Sequence, residues 1–406
     1  MPKTVLLIGT RKGCFLLESD ASRRDWKLRG PFCEGWPIYH AVYDPGSGTV
    51  YAAAASEWHG AGVWRSGDLG ESWALSSEGL AFAEGGPKLS KISGLTVAYG
   101  RVLAGVEPAA VFQSRDGGVT WALLTTLEGQ PGRRGWDDPS SQPPGHLGLP
   151  SMLADPDDPS RLLAVVQGIG VFETGDDGAS WTPRNAGLRA DWPREHDEVG
   201  FCVHKLVRSP RDRERLYQQN HCGVHRSDDG GRSWTEVSEG LPSDFGFAAA
   251  AHPHERDTFY VIPLDAGHGR CMPDGAAAVW RTRDGGSSWE RLARGLPQHG
   301  AYLGVLREGL AIDALDQPGL YFGTSTGQVF ASADQGELER DRELPPRNRL
   351  GRGRTRRVNR GRAPPPPDAP ATLRRSAAQS RARRRERRGG DRPSRPPLAR
   401  PARPAL

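Results

Sequence analysis

The sequence predicts an all-β chain folded as a seven-bladed β-propeller, and three observations support this fold class. One octapeptide, Ser/Thr-x-Asp-x-Gly-x-Ser/Thr-Trp, repeats along the chain with its tryptophans 47 to 60 residues apart. Short β-rich runs flank each copy, as at residues 49–53 and 62–66, and no helical periodicity interrupts them. Four short strands per period of about 50 residues are typical of one propeller blade.

The octapeptide itself predicts a turn between two strands. Its hydroxyl and carboxylate side chains accept hydrogen bonds from exposed backbone N–H groups, and its glycine permits a positive φ. The tryptophan begins the outer strand and is large enough to wedge between neighbouring blades. We therefore expect structural roles for the aspartate and tryptophan of five complete copies: Asp68 and Trp73, Asp116 and Trp121, Asp176 and Trp181, Asp229 and Trp234, and Asp284 and Trp289.

These octapeptides resemble the Asp-box of BNR/Asp-box repeat proteins, which are grouped with WD40/YVTN-like repeat propellers. That superfamily includes sialidases and other glycoside hydrolases, sortilin-like receptors and photosystem II assembly factors. The resemblance covers residues 1–337 and implies a propeller whose boxes lie on the face away from any functional site. It does not imply one activity, because a fold hosts many functions.

Charge divides the chain into two predicted regions. Residues 338–406 contain 22 arginines, 6 acidic residues and no aromatic residue, which leaves 32 basic and 43 acidic residues for positions 1–337. We expect an acidic propeller over 1–337 and a disordered Arg/Pro-rich tail over 338–406. Five scattered cysteines and a short N-terminal apolar run predict a soluble cytoplasmic protein without a membrane partner.

The boundary at 337/338 cuts through the seventh repeat. A weak first copy ends at Trp26, its unit lacks a first strand, and a truncated last copy begins at Ser332. Propellers commonly close when the C-terminus donates the missing strand. Back-translated with permissible codons and read in a shifted frame, residues 337–354 give Ser-Trp-Ser-Glu-Ile-Ala-Ser-Tyr-Leu-Pro-Val-Ile-Val-Ser-Val-Glu-Val. We favour a frameshift there; the alternative is a genuine basic tail, and only that alternative predicts nucleic-acid or acidic partners.

Loops at the predicted channel mouth, opposite the octapeptide turns, concentrate polar and aromatic residues. We expect a small-molecule, glycan or protein ligand there. The predicted ligand-binding residues are Arg11, Trp58, His59, His146, His196, Asn220, His221, Arg270, His299 and Arg307. The alternative is that these loops are polar only because they are exposed.

Two kinds of chemistry are candidates at the same mouth. Glycoside hydrolysis needs two carboxylates, and the candidates are Glu57, Glu107, Asp197, Glu198 and Asp265. Sialidase chemistry is disfavoured, because the Arg-Ile-Pro string known in that family is absent from the sequence. A metal held by His196, His204 and His221 with Asp197 or Glu198 is a weaker hypothesis, since the spacing matches no short metal motif.

The function that we predict is a soluble scaffold that binds a ligand or partner through polar loops at the channel mouth. A glycoside hydrolase is the alternative. The sequence assigns no metal and leaves the cofactor unknown.

Overall fold

The computed structural model describes residues 3–136, 147–190, 194, 196–267, 269–336 and 342–344. The chain divides into two units, Met1–Leu350 and Gly351–Leu406, and all described residues belong to the first. The predicted disorder of the tail therefore falls outside the described residues, apart from one short strand. Among those residues no helix has the length and apolar character that crossing a bilayer requires.

The structure confirms the predicted fold class. The described residues form seven antiparallel sheets, each a meander in chain order, and we number these sheets as blades 1 to 7. Blade 1 contains β1 (Lys3–Thr10), β2 (Gly13–Asp20) and β3 (Lys27–Phe32). The strands of the other blades are β4 (Ile38–Asp44), β5 (Thr49–Ser56), β6 (Gly60–Ser66) and β7 (Ala74–Ser76) in blade 2; β8 (Lys91–Ala98), β9 (Arg101–Glu107), β10 (Ala110–Ser114) and β11 (Ala122–Thr125) in blade 3; β12 (Ser151–Ala154), β13 (Leu162–Val166), β14 (Gly170–Thr174) and β15 (Thr182–Pro183) in blade 4; β16 (Val203–Arg208), β17 (Leu216–Asn220), β18 (Gly223–Ser227) and β19 (Thr235–Glu236) in blade 5; β20 (Gly246–Ala251), β21 (Phe259–Pro263), β22 (Val279–Thr282) and β23 (Glu290–Leu292) in blade 6; and β24 (Leu310–Ile312), β25 (Leu320–Gly323), β26 (Val329–Ser332) and β27 (Arg342–Leu344) in blade 7.

The blades are arranged in a ring. The first strands of blades 2 to 6 each pack against the first strand of the next blade, and β1 packs against β4, so these strands line a central channel. Seven apolar clusters fill the boundaries between neighbouring blades in the described part of the chain. The core is therefore distributed between the sheets, as expected when every sheet buries both faces.

Contacts between blades 7 and 1 close the ring. Arg23 Nη1 lies 2.9 Å from Asp313 Oδ2, and the Trp26 and Tyr321 rings meet edge to face at 5.8 Å. Leu17 packs in the same apolar cluster as Tyr321. The tryptophan of the weak first repeat thus packs at the boundary between two blades, as expected for the complete copies.

Strand β27 lies inside the segment predicted as tail. Its residues 342–344 pair with β26, so they add a fourth strand to blade 7. Blade 1 has three strands in the described part of the chain, and β1 pairs there only with β2. In the other blades the octapeptide turn joins the third strand to the fourth, and the weak first repeat joins β2 to β3. The strand that blade 1 lacks in the described part of the chain is therefore the first and innermost one.

Each octapeptide lies in the turn between the third and fourth strands of its blade. In blade 5, Asp229 accepts bonds from the hydroxyls of Ser227 (2.8 Å) and Ser233 (2.6 Å) and from the Ser233 N–H (2.9 Å). Trp234 donates its backbone N–H to Ala186 and its indole N–H to Arg184, both at 2.9 Å and both in blade 4. The turn therefore also fastens one blade to the preceding one.

The meander topology separates two ends of the channel. Third-to-fourth-strand turns lie at the end that we call the box face. The starts of the first strands and the turns between second and third strands lie at the opposite end, which we call the channel mouth.

Candidate functional site

A charged side-chain network crosses the channel near its mouth. Lys205 Nζ of blade 5 lies 2.6 Å from both carboxylate oxygens of Glu308, which precedes β24 of blade 7. His40 Nε2 of blade 2 lies 3.2 Å from Glu308 Oε2. Because His40 Nδ1 accepts the Leu95 N–H at 2.9 Å, the Nε2 atom carries the hydrogen and donates it to Glu308.

The network holds Glu308 as a carboxylate. Burial tends to raise the pKa of Glu308, but His40 and the Lys205 ammonium outweigh burial and lower this pKa to about 2. The pKa of His40 lies below its usual value, because its burial outweighs the attraction of Glu308.

A cavity of about 330 Å³ adjoins this network. Its lining includes His40, Lys205, Arg208 and Glu308 together with Ser151 and Met152 of blade 4. Arg208 donates to the Ala154 carbonyl at 2.6 Å. The channel is therefore lined by charged groups that are already paired within the protein.

Arg307 extends the polar layer to a third side of the channel. Its Nε donates to the His204 carbonyl and its Nη2 donates to Gln167 Oε1, each at 3.1 Å. These bonds join blade 7 to blades 5 and 4. The guanidinium lies 5.3 Å from the centroid of the Phe247 ring, a distance suited to a cation–π contact.

Cys202, His204 and His221 meet beside Arg307. Cys202 directly precedes β16, His204 is the second residue of that strand, and His221 lies in the turn after β17. The His221 N–H donates to the Cys202 carbonyl at 2.8 Å, which holds the two segments together. One ligand atom from each side chain lies within 4.8 Å of the other two, so these three residues could hold a metal ion.

A β-bulge orients His204. The pairing of β16 with β17 shifts by one residue between Val203 and Lys205, which leaves His204 as the extra residue. His204 Nδ1 lies 2.6 Å from the Gly246 carbonyl, which can only accept, so Nδ1 carries the hydrogen. Its Nε2 therefore presents a lone pair toward Cys202 Sγ, 3.4 Å away.

Aromatic rings surround these histidines. The His204 ring centroid lies 4.5 Å from that of Phe247, and the His221 centroid lies 4.9 Å from that of Phe245. The His204 side chain is buried, and burial followed by the Arg307 charge lowers its pKa to about 3. His204 is therefore a neutral imidazole at physiological pH.

Arg270 and Asn220 complete the site. Arg270 is exposed, and its guanidinium lies 5.5 Å from the Phe247 centroid and 6.0 Å from that of Phe245. Asn220 is fully buried, and its Oδ1 accepts the His221 N–H at 2.9 Å. Its Nδ2 has no hydrogen-bond partner in the described part of the chain.

The structure thus gathers four of the predicted ligand-binding residues, namely Asn220, His221, Arg270 and Arg307. Three others lie on exposed segments: Arg11 in the β1–β2 turn, Trp58 in the β5–β6 turn with 90% of its surface exposed, and His299 after β23. His59 packs against Trp36 at 5.3 Å. His196 lies against Gly132, and His146 falls outside the described residues.

The five predicted catalytic carboxylates lie in four different segments of the chain. Glu57 is exposed in blade 2, and Glu107 at the end of β9 pairs with Lys91 at 3.1 Å. Asp197 and Glu198 are exposed between blades 4 and 5, and Asp265 of blade 6 accepts the Gly267 N–H at 2.8 Å. Their catalytic roles stay a prediction.

Comparison with known proteins supports the fold and assigns no function to this chain. No family model and no curated protein matches the chain. Solved structures do match. YCF48 bound to a D1 peptide aligns at 12% identity with a TM-score of 0.51, covering 84% of each chain. YCF48 from Cyanidioschyzon merolae aligns at 12% with a TM-score of 0.51, over 83% of this chain and 98% of that one. The WD40 propeller domain of Doa1 aligns at 12% with a TM-score of 0.52, over 82% and 90%.

The chain is a β-propeller. At 12% identity these structural similarities show the fold alone, and neither residue roles nor a ligand can be transferred from them.

Proposed function

We propose that this propeller is a binding scaffold whose channel mouth holds an anionic group of a small molecule or a partner peptide. The observation that supports this proposal is that the guanidinium groups of Arg270 and Arg307 both lie over the Phe247 ring. Neither forms an ion pair with a carboxylate in the described part of the chain. Two neighbouring cations repel each other, so a bound carboxylate or phosphate group would relieve that repulsion.

A partner peptide is a reasonable source of the anionic group, since one similar propeller, YCF48, was solved with a D1 peptide.

We also propose that the repeats are Asp-boxes of the BNR type. The carboxylate of each box bonds the hydroxyl two residues before it, at 2.7 to 2.8 Å, in all six boxes that the structure describes from Ser66 onward. Glycoside hydrolysis remains the second candidate from the sequence. No specific observation favours it, because the five predicted carboxylates come from four different segments, with Asp197 and Glu198 side by side in one of them.

The test is calorimetric titration of the 406-residue protein with two anionic probes, citrate and inorganic pyrophosphate. Arg270→Ala should weaken binding by about tenfold or more, because a charge-assisted hydrogen bond is worth about 1.5–3 kcal/mol. Arg232→Ala removes an exposed arginine from the box face and serves as the matched control. All variants keep the arginine-rich tail, so tail binding cancels. Equal affinity in the Arg270→Ala and Arg232→Ala variants would contradict the proposal.

A further inference from the structure

We propose that Cys202, His204 and His221 form a binding site for one divalent cation of the zinc class, with the fourth coordination position open. The proposal stands on the geometry of these three residues and does not depend on the anionic ligand proposed above.

The spacing of the Cys202 and His204 ligand atoms matches that of a tetrahedral site. Zinc binds sulfur at about 2.3 Å and imidazole nitrogen at about 2.0–2.1 Å, which places two ligands of one ion about 3.5 Å apart. Cys202 Sγ and His204 Nε2 are 3.4 Å apart, and all three ligand atoms lie within 4.8 Å of one another.

The surroundings of His204 orient it as a ligand. Its Nδ1–H donates to the Gly246 carbonyl at 2.6 Å, which fixes the tautomer with Nε2 unprotonated. Imidazoles that ligate metals commonly donate their other N–H to a carbonyl or carboxylate in this way. The bulge at His204 directs the ring into the site, and Phe245 and Phe247 pack around it, so the ligand is held before a metal arrives.

The ligand set selects the metal class. One thiolate and two imidazoles favour zinc-class ions over magnesium or calcium, which prefer oxygen ligands. Metal binding displaces the proton of the Cys202 thiol, so the ion and its ligands carry a net charge of about +1. That thiolate offsets the cost of placing a cation beside Arg307 and Arg270.

The experiment is a titration of metal-free full-length protein with Co²⁺ and with Zn²⁺. Co²⁺ should bind once per chain, with the absorption bands of a tetrahedral ion and a thiolate-to-cobalt charge-transfer band, and Zn²⁺ should displace it. Cys202→Ser should abolish the charge-transfer band. His221→Asn, at the half-buried position, should lower Co²⁺ affinity by about a hundredfold or more, because changing even an outer-shell partner costs about tenfold to a hundredfold.

Matched controls separate this site from other cysteines and histidines. Cys222→Ala changes the neighbouring buried cysteine, which lies outside the set of three, and His254→Asn changes an exposed histidine that belongs to no predicted site. Both should bind Co²⁺ as the unaltered protein does. The proposal is overturned if no stoichiometric Co²⁺ binds, if the charge-transfer band survives Cys202→Ser, or if Cys222→Ala removes it. Because the probe is the metal alone, failure here leaves the citrate and pyrophosphate titrations unaffected.

Discussion

Lys205 of blade 5 and Glu308 of blade 7 meet across the channel, with the Lys205 Nζ atom 2.6 Å from each carboxylate oxygen. The pair is partly buried, with 16% and 24% of the two side chains exposed. No other described contact joins these blades with opposite charges. The inner strands are therefore tied together by electrostatics as well as by the apolar clusters between blades.

Replacing Glu308 by Gln should lower the free energy of unfolding by about 2 kcal/mol. This value lies between the 0–1 kcal/mol of an exposed pair and the 3–5 kcal/mol of breaking a fully buried one. Lys205 would keep its charge without a counter-ion. Urea unfolding measures the change. Asp244→Asn breaks the more exposed contact with Arg189 and should cost clearly less; an equal cost would contradict the argument.

The contribution of Glu308 should depend on pH in the acidic range. Its pKa is about 2 in the folded protein and near 4.5 when unfolded, so the unfolded chain binds the proton first. The stabilisation is complete above about pH 5 and is lost as pH falls toward 2. The difference in Tm between the unaltered protein and Glu308→Gln should therefore shrink between pH 5 and pH 2.5. Most other titratable groups change the Tm of both proteins equally, so their effects cancel in the difference. The main exception is His40, because its pKa depends on the charge of Glu308.

The octapeptide turns should be needed for stability and dispensable for binding. Asp229→Ala removes the acceptor of three hydrogen bonds in the blade 5 turn and should cost about 1–2 kcal/mol of unfolding free energy. Asp229→Asn keeps one amide oxygen as an acceptor and should cost less. Citrate binding by Asp229→Ala, measured below its Tm, should match the unaltered protein. A selective loss of binding with unchanged Tm would show that the turn has a functional role.

The sequence predicted the blades well because their signal is local. The hydroxyl, carboxylate and glycine of each turn bond one another within eight residues, so the motif and the structure coincide at Ser227 to Trp234 and in the other copies. The repeat period then fixed the number of blades. Even the weak unit at Trp26 was placed correctly, since its tryptophan packs against Tyr321 at the boundary with blade 7.

The site was harder to predict because its residues come from different blades. Lys205 and Glu308 were missed, since only ring closure brings residues 103 positions apart into contact. Cys202 was not among the predicted site residues, and the bulge at His204 could not be foreseen from strand alternation, because an extra residue reverses which face a side chain meets. One usable signal was the Cys-x-His string at a strand start followed by the His in the next turn.

The remaining prediction concerns the join between blades 7 and 1. The last turn begins like the others, since Ser332 donates to Asp334 at 2.7 Å and Gly336 N–H donates to Ser332 Oγ at 2.7 Å. The Ser/Thr-Trp that completes every full copy does not follow. Blade 1 also lacks an innermost strand in the described part of the chain, which leaves one edge of β1 without a strand partner there.

Both deficits have one explanation if the reading frame shifts near codon 337. The shifted frame supplies a Ser-Trp pair, an outer strand and a final Val-Ile-Val-Ser-Val-Glu-Val run, whose β-branched residues suit a buried innermost strand. Nucleotide sequencing across this codon should show that a small frame correction encodes these residues. A chain of residues 1–337 followed by the shifted-frame sequence should then unfold at a clearly higher temperature than the 406-residue chain, because a paired edge on β1 replaces an open one. A verified unshifted gene, with arginine-rich peptides from the tail detected by mass spectrometry of the natural protein, would instead establish the tail as genuine.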